Sequence, residues 1–325
     1  MTINRRNLML AAVSATASTH FAAWGQAYPS KAIRLVVPYP AGSTLDVVAR
    51  MFTEVFSRHF GQPSIVVNQP GGSAAIGTRA VAQAEADGYT LLLGTNQTHG
   101  ANSALMPNLG YDAIKDFEPI AGIGRIQHVV VVRKDLGVKT LAEFMALARK
   151  PGQKINYGSS GNGSASHLAA EMFKLATGVQ MTHIPFNGSG PAAQALMGGH
   201  IDVSFITLPS VLSFIKAGGM TALAVASPDR APQLPALATL AEQGVPNAEA
   251  DAWAALFAPA RTPPGALTTL SDFTVQAFST PEMKEKLNTS GFVPDTKSGS
   301  VFREYLQEDM KRWADVVKAA KVKLD

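Results

Sequence analysis

From Lys31 onward, short apolar runs alternate with helix-like patterns, and this alternation limits the folds open to the chain. Several runs, such as VVVV at 129–132, are continuously apolar, as strands covered on both faces are. Strands that alternate with helices are typical of α/β proteins with parallel sheets. The pattern predicts strands over 33–39, 64–68, 89–95, 128–133, 154–159, 181–186, 201–206, 221–227 and 252–260.

Helical patterns fill the intervals between these strands. The last helix is the clearest, since Phe302, Leu306, Met310, Trp313 and Val317 are spaced to form one apolar face. No linker rich in Pro and Gly cuts the chain, and the strands are too many for one small sheet, so we expect two sheets joined by crossing segments near 125–129 and 251–256. The other predicted helices are 44–59, 76–86, 140–149, 165–177, 191–198, 208–217, 264–278 and 281–290.

The N-terminus has the character of an export signal. Arg5 and Arg6 precede the apolar stretch LMLAAVSATAS, and Gly25-Gln26-Ala27 has small residues at the positions that a signal peptidase needs. We expect residues 1–27 to be a signal peptide cleaved near Ala27, which places the mature protein in the periplasm by either the Sec or the Tat route. No later segment reaches the roughly 18 uninterrupted apolar residues of a membrane span.

Composition excludes several functions. The chain has no cysteine, which excludes disulfides and thiolate chemistry. Without residues 1–27 it carries 26 basic against 24 acidic residues and no basic cluster, so nucleic acid is not an expected partner. No histidine pair has zinc-site spacing, and no G-x-G-x-x-G or Walker sequence is present. We therefore expect no metal and no cofactor.

Catalysis by a serine nucleophile has one weak candidate. The sequence at 158–162 is GSSGN, in which Asn162 replaces the last glycine of the G-x-S-x-G turn. That glycine is needed for the sharp turn that exposes the nucleophile. The protein is therefore not expected to be an enzyme, and an exported serine hydrolase using Ser159 or Ser160 is kept as the alternative.

Four strand ends share one construction, a turn rich in Gly, Ser, Thr or Asn that usually leads into a helix. Such turns leave unpaired N–H groups at a helix N-terminus, which suits an anion, typically a carboxylate. Asp46 has two open interpretations, contact with the ligand or a capping box with Ser43. His99 follows a strand in the second turn, where open α/β sheets place their sites. The four turns are YPAGSTLD, GTNQTHG, SSGNGSASH and FNGSGPAAQ.

Taken in order, blocks along the whole mature chain resemble the Bug-type solute-binding proteins of tripartite tricarboxylate transporters. The blocks include YPSKAIRLVVPYPAG, ADGYTLLLGT, INYGSSGNGSASHLAAEMFK and HIPFNGSGPA. The resemblance implies an α/β type II periplasmic-binding-protein (Venus flytrap) fold, with two Rossmann-like domains around a central cleft. It implies domain 1 from 28–126 plus 251–325, with domain 2 (127–250) inserted, and delivery of a small organic acid to a membrane permease by a protein expected to be a monomer.

The ligand loops of that family map onto specific positions here, and three of those positions depart from the family pattern. Ser43 replaces a second glycine, Asn187 replaces a lysine beside Phe186, and Ile206 replaces an acid. These changes make the predicted cleft less charged, so we expect a carboxylate with an apolar or aromatic body, although a di- or tricarboxylate stays possible. A ligand-presenting accessory of a membrane sensor is a further alternative. With His99 from the turn pattern, the predicted ligand-binding residues are Tyr39, Ala41, Gly42, Ser43, Asp46, Thr95, His99, Ser159, Gly161, Asn162, Gly163, Ser164, Phe186, Gly188 and Ile206.

Overall fold

A computed structural model describes residues 28–322, which form two mixed sheets covered by helices. A π-helix at Gln97–Ala101 runs directly into a short α-helix at Asn102–Leu105. The strands are β1 Ile33–Val37, β2 Ser64–Asn68, β3 Thr90–Gly94, β4 Phe117–Ile126, β5 His128–Arg133, β6 Asn156–Ser159, β7 Thr182–Pro185, β8 Val203–Thr207, β9 Met220–Val225, β10 Ala252–Pro259 and β11 Val293–Ser298. The α-helices are α1 Thr44–Phe60, α2 Ala75–Ala82, α3 Asn102–Leu105, α4 Leu141–Ala148, α5 Ala165–Thr177, α6 Ser189–Met197, α7 Leu208–Lys216, α8 Pro264–Ser279, α9 Pro281–Thr289 and α10 Gly299–Ala320.

The first sheet has the strand order β11-β4-β10-β3-β1-β2, and the second has the order β7-β6-β8-β5-β9. In the first sheet β2, β1 and β3 are parallel, whereas β10 is antiparallel to both β3 and β4. In the second sheet β7, β6 and β8 are parallel, and β5 is antiparallel to β8 and β9. Parallel strands gather their carboxyl ends at one edge of a sheet, which is where open α/β sheets bind ligands.

The chain crosses between the sheets at two places. It leaves the first sheet at the end of β4 and enters the second at His128, with Gln127 between them. It returns after β9 and rejoins the first sheet at Ala252. Both crossings lie close together, because Ala252 pairs with Ile126 in the antiparallel β10–β4 ladder. The last helix, α10, packs against both the π-helix and α5, so it contacts elements beside each sheet.

Two strands were not predicted, β4 and β11. β4 reads FEPIAGIGRI, whose proline and glycines are poor strand formers. Its glycines serve close packing, since a Cβ atom on Gly122 would lie 2.7 Å from the Phe302 ring and one on Gly124 would lie 2.9 Å from the Val293 carbonyl oxygen. β11 lies at the edge of the sheet and is half-buried along its whole length, so it lacks an alternating pattern.

The apolar face predicted for the last helix is present in α10. Phe302, Leu306, Trp313 and Val317 are buried there, and Met310 is half-buried. Between them lies the buried Asp309, which accepts a hydrogen bond of 2.7 Å from the indole N–H of Trp253. Within residues 28–322, no helix is long and apolar enough to cross a membrane. The predicted signal peptide, 1–27, lies outside the described residues.

Candidate functional site

The turn between β1 and α1 is shaped by Gly42 and Ser43. Gly42 has a φ of +77°, a left-handed conformation that glycine adopts without strain. Ser43 is the N-cap of α1, and its hydroxyl accepts a hydrogen bond of 3.3 Å from the N–H of Asp46. The N–H groups of Thr44 and Leu45 have no intrahelical acceptor, because these are the first two residues of α1.

Asp46 stabilises this turn through hydrogen bonds. Its buried carboxylate accepts hydrogen bonds from the Gly42 N–H at 3.0 Å, the Asn68 amide at 3.0 Å and the Arg50 guanidinium at 2.9 Å. Burial raises the pKa of Asp46, but these bonds outweigh it and lower the pKa below its usual value. In a capping box the Asp46 carboxylate would accept a hydrogen bond from the Ser43 N–H. Here it accepts one from the Gly42 N–H instead.

The turn after β3 brings a polar group of side chains against the first turn. The Tyr39 hydroxyl lies 2.9 Å from the Thr95 hydroxyl and donates to the Gln97 side-chain oxygen at 2.9 Å. The Gln97 amide nitrogen in turn donates to the Asn162 carbonyl at 3.0 Å, which joins a turn of the first sheet to a turn of the second. Burial raises the pKa of the Tyr39 hydroxyl well above its usual value, so this group is neutral.

The turn between β6 and α5 is supported by two stacked histidine rings. The centroids of His167 and His183 lie 3.9 Å apart, with an angle of 10° between the rings. His167 Nδ1 accepts a hydrogen bond of 3.1 Å from the Gly163 N–H, and His183 Nε2 lies 2.7 Å from the Ser159 hydroxyl. Burial lowers the pKa of His167 to about 4 and that of His183 to about 3, so both rings are neutral at pH 7.

Two further helices of the second sheet begin beside these turns. Gly188, with a φ of +111°, is the N-cap of α6, and Thr207 precedes α7. The hydroxyl of Thr207 lies 2.8 Å from that of Thr44 at the start of α1. A second polar contact therefore joins the two sheets.

Two adjoining cavities lie between these turns, and they share Tyr39, Gln97, Ser160 and Gly188. The outer cavity has a volume of about 220 Å³ and the inner cavity about 40 Å³. The outer cavity is also lined by Pro38, Pro40, Pro70, Gly71, Ser73, Ala74, Gly161, Asn162, Pro185, Phe186 and Asn187. The inner cavity is also lined by Ser43, Thr44, Leu45, Thr95, Asn96, Ile126, His128, Ser164, Ala165, Ser189, Thr207 and Ala252.

The inner cavity is suited to an anion. The helices α1, α5, α6 and α7 all begin at its wall, and each has at least nine residues. One helix N-terminus stabilises an anion by roughly 0.3 to 2 kcal/mol, and a hydrogen bond to a charged group contributes about 1.5 to 3 kcal/mol. Micromolar affinity needs about 8 kcal/mol in total, which several such groups together can supply.

Neither cavity is lined by an Asp, Glu, Lys or Arg side chain. The one histidine in the lining is His128, and burial lowers its pKa to about 4, so it is neutral at pH 7. Across residues 28–322, no group of His, Asp and Glu is arranged to hold a metal ion. The site therefore offers neutral hydrogen-bond donors and helix dipoles rather than counter-charges.

The structure brings eight of the predicted residues to the cavities. Tyr39 and Gly188 line both of them. The outer cavity also has Gly161, Asn162 and Phe186, and the inner cavity also has Ser43, Thr95 and Ser164. Asn96, which directly follows Thr95 in the second predicted turn, also lines the inner cavity, and so does His128, which the sequence patterns did not single out. The position of His128 after the end of β4 was the only available signal.

The other seven predicted residues do not line either cavity. His99 is buried beside β10, where its ring stacks on Phe257 at 3.8 Å between centroids, and burial lowers its pKa to about 3. Ile206 lies inside β8, paired with Val129 of β5, in the apolar core. The remaining five lie in the turns or in the strand and helix ends that flank them, outside the cavity linings: Ala41, Gly42, Asp46, Ser159 and Gly163.

Comparison with known proteins agrees with this architecture. A family model described as "Tripartite tricarboxylate transporter family receptor" matches residues 48–322. The chain is 34% identical to protein BugT of Bordetella pertussis over 91% of each chain. Among solved structures, Rpa4515 of R. palustris with adipate superposes with a TM-score of 0.88 and 33% identity, covering 91% of this chain and 99% of that one.

A second solved structure is similar over a comparable length. MatC (Rpa3494) from Rhodopseudomonas palustris, with bound malate, has a TM-score of 0.83 and 31% identity, and the match covers 89% of this chain and 100% of that one. The family match and the relatives span nearly the whole described chain. The chain belongs to the tripartite tricarboxylate transporter receptor family, the Bug-type solute-binding proteins of the two-domain α/β class.

Proposed function

We propose that this receptor binds a small organic carboxylate, with the carboxylate group in the inner cavity and the body of the molecule in the outer cavity. The observation that carries the proposal is the convergence of four helix N-termini on a cavity without charged side chains. The solved structures of two relatives, one with adipate and one with bound malate, support a carboxylate as the class of ligand. The chain itself acts as a receptor and not as an enzyme.

The body of the ligand is apolar or aromatic. Four prolines, Ala74 and Phe186 line the outer cavity, and no cation is present there to hold a second carboxylate. Asn187 lies at the position where the family pattern has a lysine, and it lines this cavity. Covering apolar surface contributes about 25 cal/mol per Å², so about 60 Å² of ligand carbon would add roughly 1.5 kcal/mol.

We take 28–126 plus 251–325 and 127–250 as the two domains, with the hinge at the crossings beside Gln127 and Ala252; the division of the described strands into two sheets supports this assignment. The contacts Thr44–Thr207 and Gln97–Asn162 stabilise the closed arrangement, in which the ligand bridges both domains. The mature chain, released from residues 1–27 in the periplasm, presents this closed form to the membrane permease of its transporter.

The alternative of a serine hydrolase is not favoured. Ser159 does lie 2.7 Å from His183 Nε2, but it is fully buried and lines neither cavity. Ser160 lines both cavities, yet its hydroxyl lies 2.9 Å from that of Ser166 rather than beside a histidine. A general base within hydrogen-bond reach of an accessible nucleophile is required for acyl transfer.

Thermal unfolding with a library of carboxylates tests the proposed function. A ligand present at about 100 times its Kd adds roughly 2.7 kcal/mol of stability, which raises the Tm by about 4 °C for a protein of this size. We expect aliphatic or aromatic monocarboxylates to give this shift and their amides to give none. A shift with aspartate or glutamate only would contradict the apolar body, and no shift with any acid would contradict carboxylate binding.

A further inference from the structure

The inner cavity contains two buried polar side chains that lack a hydrogen-bond partner. His128 and Asn96 are each 1% exposed, and both line this cavity. Within residues 28–322, neither His128 Nδ1 nor Asn96 Nδ2 has a partner. A buried polar atom left unpaired is destabilising, so these two side chains favour a ligand group that can form hydrogen bonds with both.

These two side chains come from different parts of the chain, and both line the inner cavity beside the first crossing. His128 is the first residue of β5, directly after the first crossing, and Asn96 follows β3. The His128 ring lies against the backbone carbonyls of Ile126 and Ala250, which fixes it in the wall. Burial nevertheless lowers its pKa to about 4, so the ring is neutral at pH 7, and its Nδ1 lacks a partner within the described residues.

A hydroxyl group matches this pair better than any other small polar group. The Asn96 amide nitrogen can only donate, so it requires an acceptor. A neutral imidazole nitrogen donates or accepts according to its tautomer, and a hydroxyl can serve either role. A keto oxygen or a second carboxylate only accepts, so it would satisfy one tautomer of His128 alone.

The size of the inner cavity limits what can carry that hydroxyl. A volume of about 40 Å³ exceeds the roughly 10 to 15 Å³ that one water needs, but it does not hold a ring. It has room for a carboxylate and one adjacent substituent. We propose that His128 and Asn96 form a subsite for a hydroxyl on the carbon next to the carboxylate, so that the receptor selects 2-hydroxy acids with an apolar body. This inference rests on the proposed function.

Matched acids with and without the hydroxyl test this subsite. Calorimetric titration of the whole mature protein would compare 3-phenyllactate with 3-phenylpropionate, and 2-hydroxyhexanoate with hexanoate. We expect each hydroxy acid to bind about ten-fold or more tighter than its parent acid, since the parent leaves both polar atoms unpaired. In the His128→Phe variant, which keeps a planar ring without nitrogen, the ratio should fall to about one to three.

Two further variants make the result decisive. Asn96→Leu should also reduce the ratio, and it gives a second measurement if His128→Phe does not fold. His200→Phe is the matched control, because His200 is exposed on the surface and should keep the wild-type ratio. Equal affinities of hydroxy and parent acids for the wild type, or a ratio unchanged in both variants, would overturn the hydroxyl subsite while leaving carboxylate binding intact. Failure of all four acids to bind would overturn both proposals.

Discussion

Replacement of Asp46 by alanine separates a supporting role from ligand contact. The variant removes an acceptor shared by the Gly42 N–H, the Asn68 amide and the Arg50 guanidinium. Hydrogen bonds to a charged group contribute about 1.5 to 3 kcal/mol each, but they are not additive, and the Arg50 side chain is 62% exposed, so its ion pair adds little. We expect a total loss of about 2 to 4 kcal/mol in the free energy of unfolding.

Thermal unfolding and calorimetry measure the two effects of Asp46→Ala separately. For a protein of this size the Tm should fall by about 3 to 6 °C. Because the carboxylate lines neither cavity, the Kd of the folded protein should stay within about three-fold of the wild type. Arg50→Met is the matched control and should cost less than about 1 kcal/mol. An unchanged Tm together with a Kd raised about ten-fold would refute the supporting role.

Three other predictions concern closure, pH and ligand class. Thr44→Val removes the hydrogen bond to Thr207 that joins the two sheets. Ligand affinity should fall about five-fold, with little change in the Tm of the unliganded protein. An unchanged Kd would contradict a role of this bond in closure. Burial lowers the pKa of His99 in the folded protein to about 3, below its value of 6.5 in the unfolded chain. Below about pH 6.5 the unfolded state therefore binds more protons, and the stability of the fold decreases as the pH is lowered. In denaturant titrations, His99→Phe should recover about 2 kcal/mol of the stability lost at pH 5, and a pH profile identical to the wild type would contradict this. Asn187→Lys adds a cation to the outer cavity wall and should improve adipate affinity about five-fold at low salt; an equal gain for hexanoate would show that charge is not the cause.

The sequence predicted nine of the strands because each forms a short apolar run between helical patterns, but it did not predict their direction: β5 and β10, both buried along nearly their whole length, are antiparallel to their neighbours. Periodicity could not find β4, whose Gly122 and Gly124 serve close packing against α10 and β11. Nor could it find β11, which is half-buried throughout. Strand position likewise could not separate Thr95, which lines the inner cavity, from His99, which turns into the core beside Phe257.

The turns of the site were predictable, and their inner wall was not. Runs of Gly and Ser before a helix identify an anion-binding turn locally, as at Ser43 and Ser164. His128 and Thr207 belong to the wall through sheet topology, since β5 pairs with β8 only after the chain has crossed from the first sheet. No local pattern carries that information, which is why His128 was missed and why Ile206, rather than its neighbour Thr207, was expected to contact the ligand.

In the proposed complex, a carboxylate binds where four helices begin, without a counter-charge. The most direct measurement is calorimetric titration of the mature protein with 3-phenylpropionate and with its amide, which differ in charge at nearly equal size. We expect saturable binding of the acid at one site per chain, and at least about a hundred-fold weaker binding of the amide, because the helix N-termini and their N–H groups favour the anion. Equal affinity for the two compounds, or binding of neither, would contradict the account.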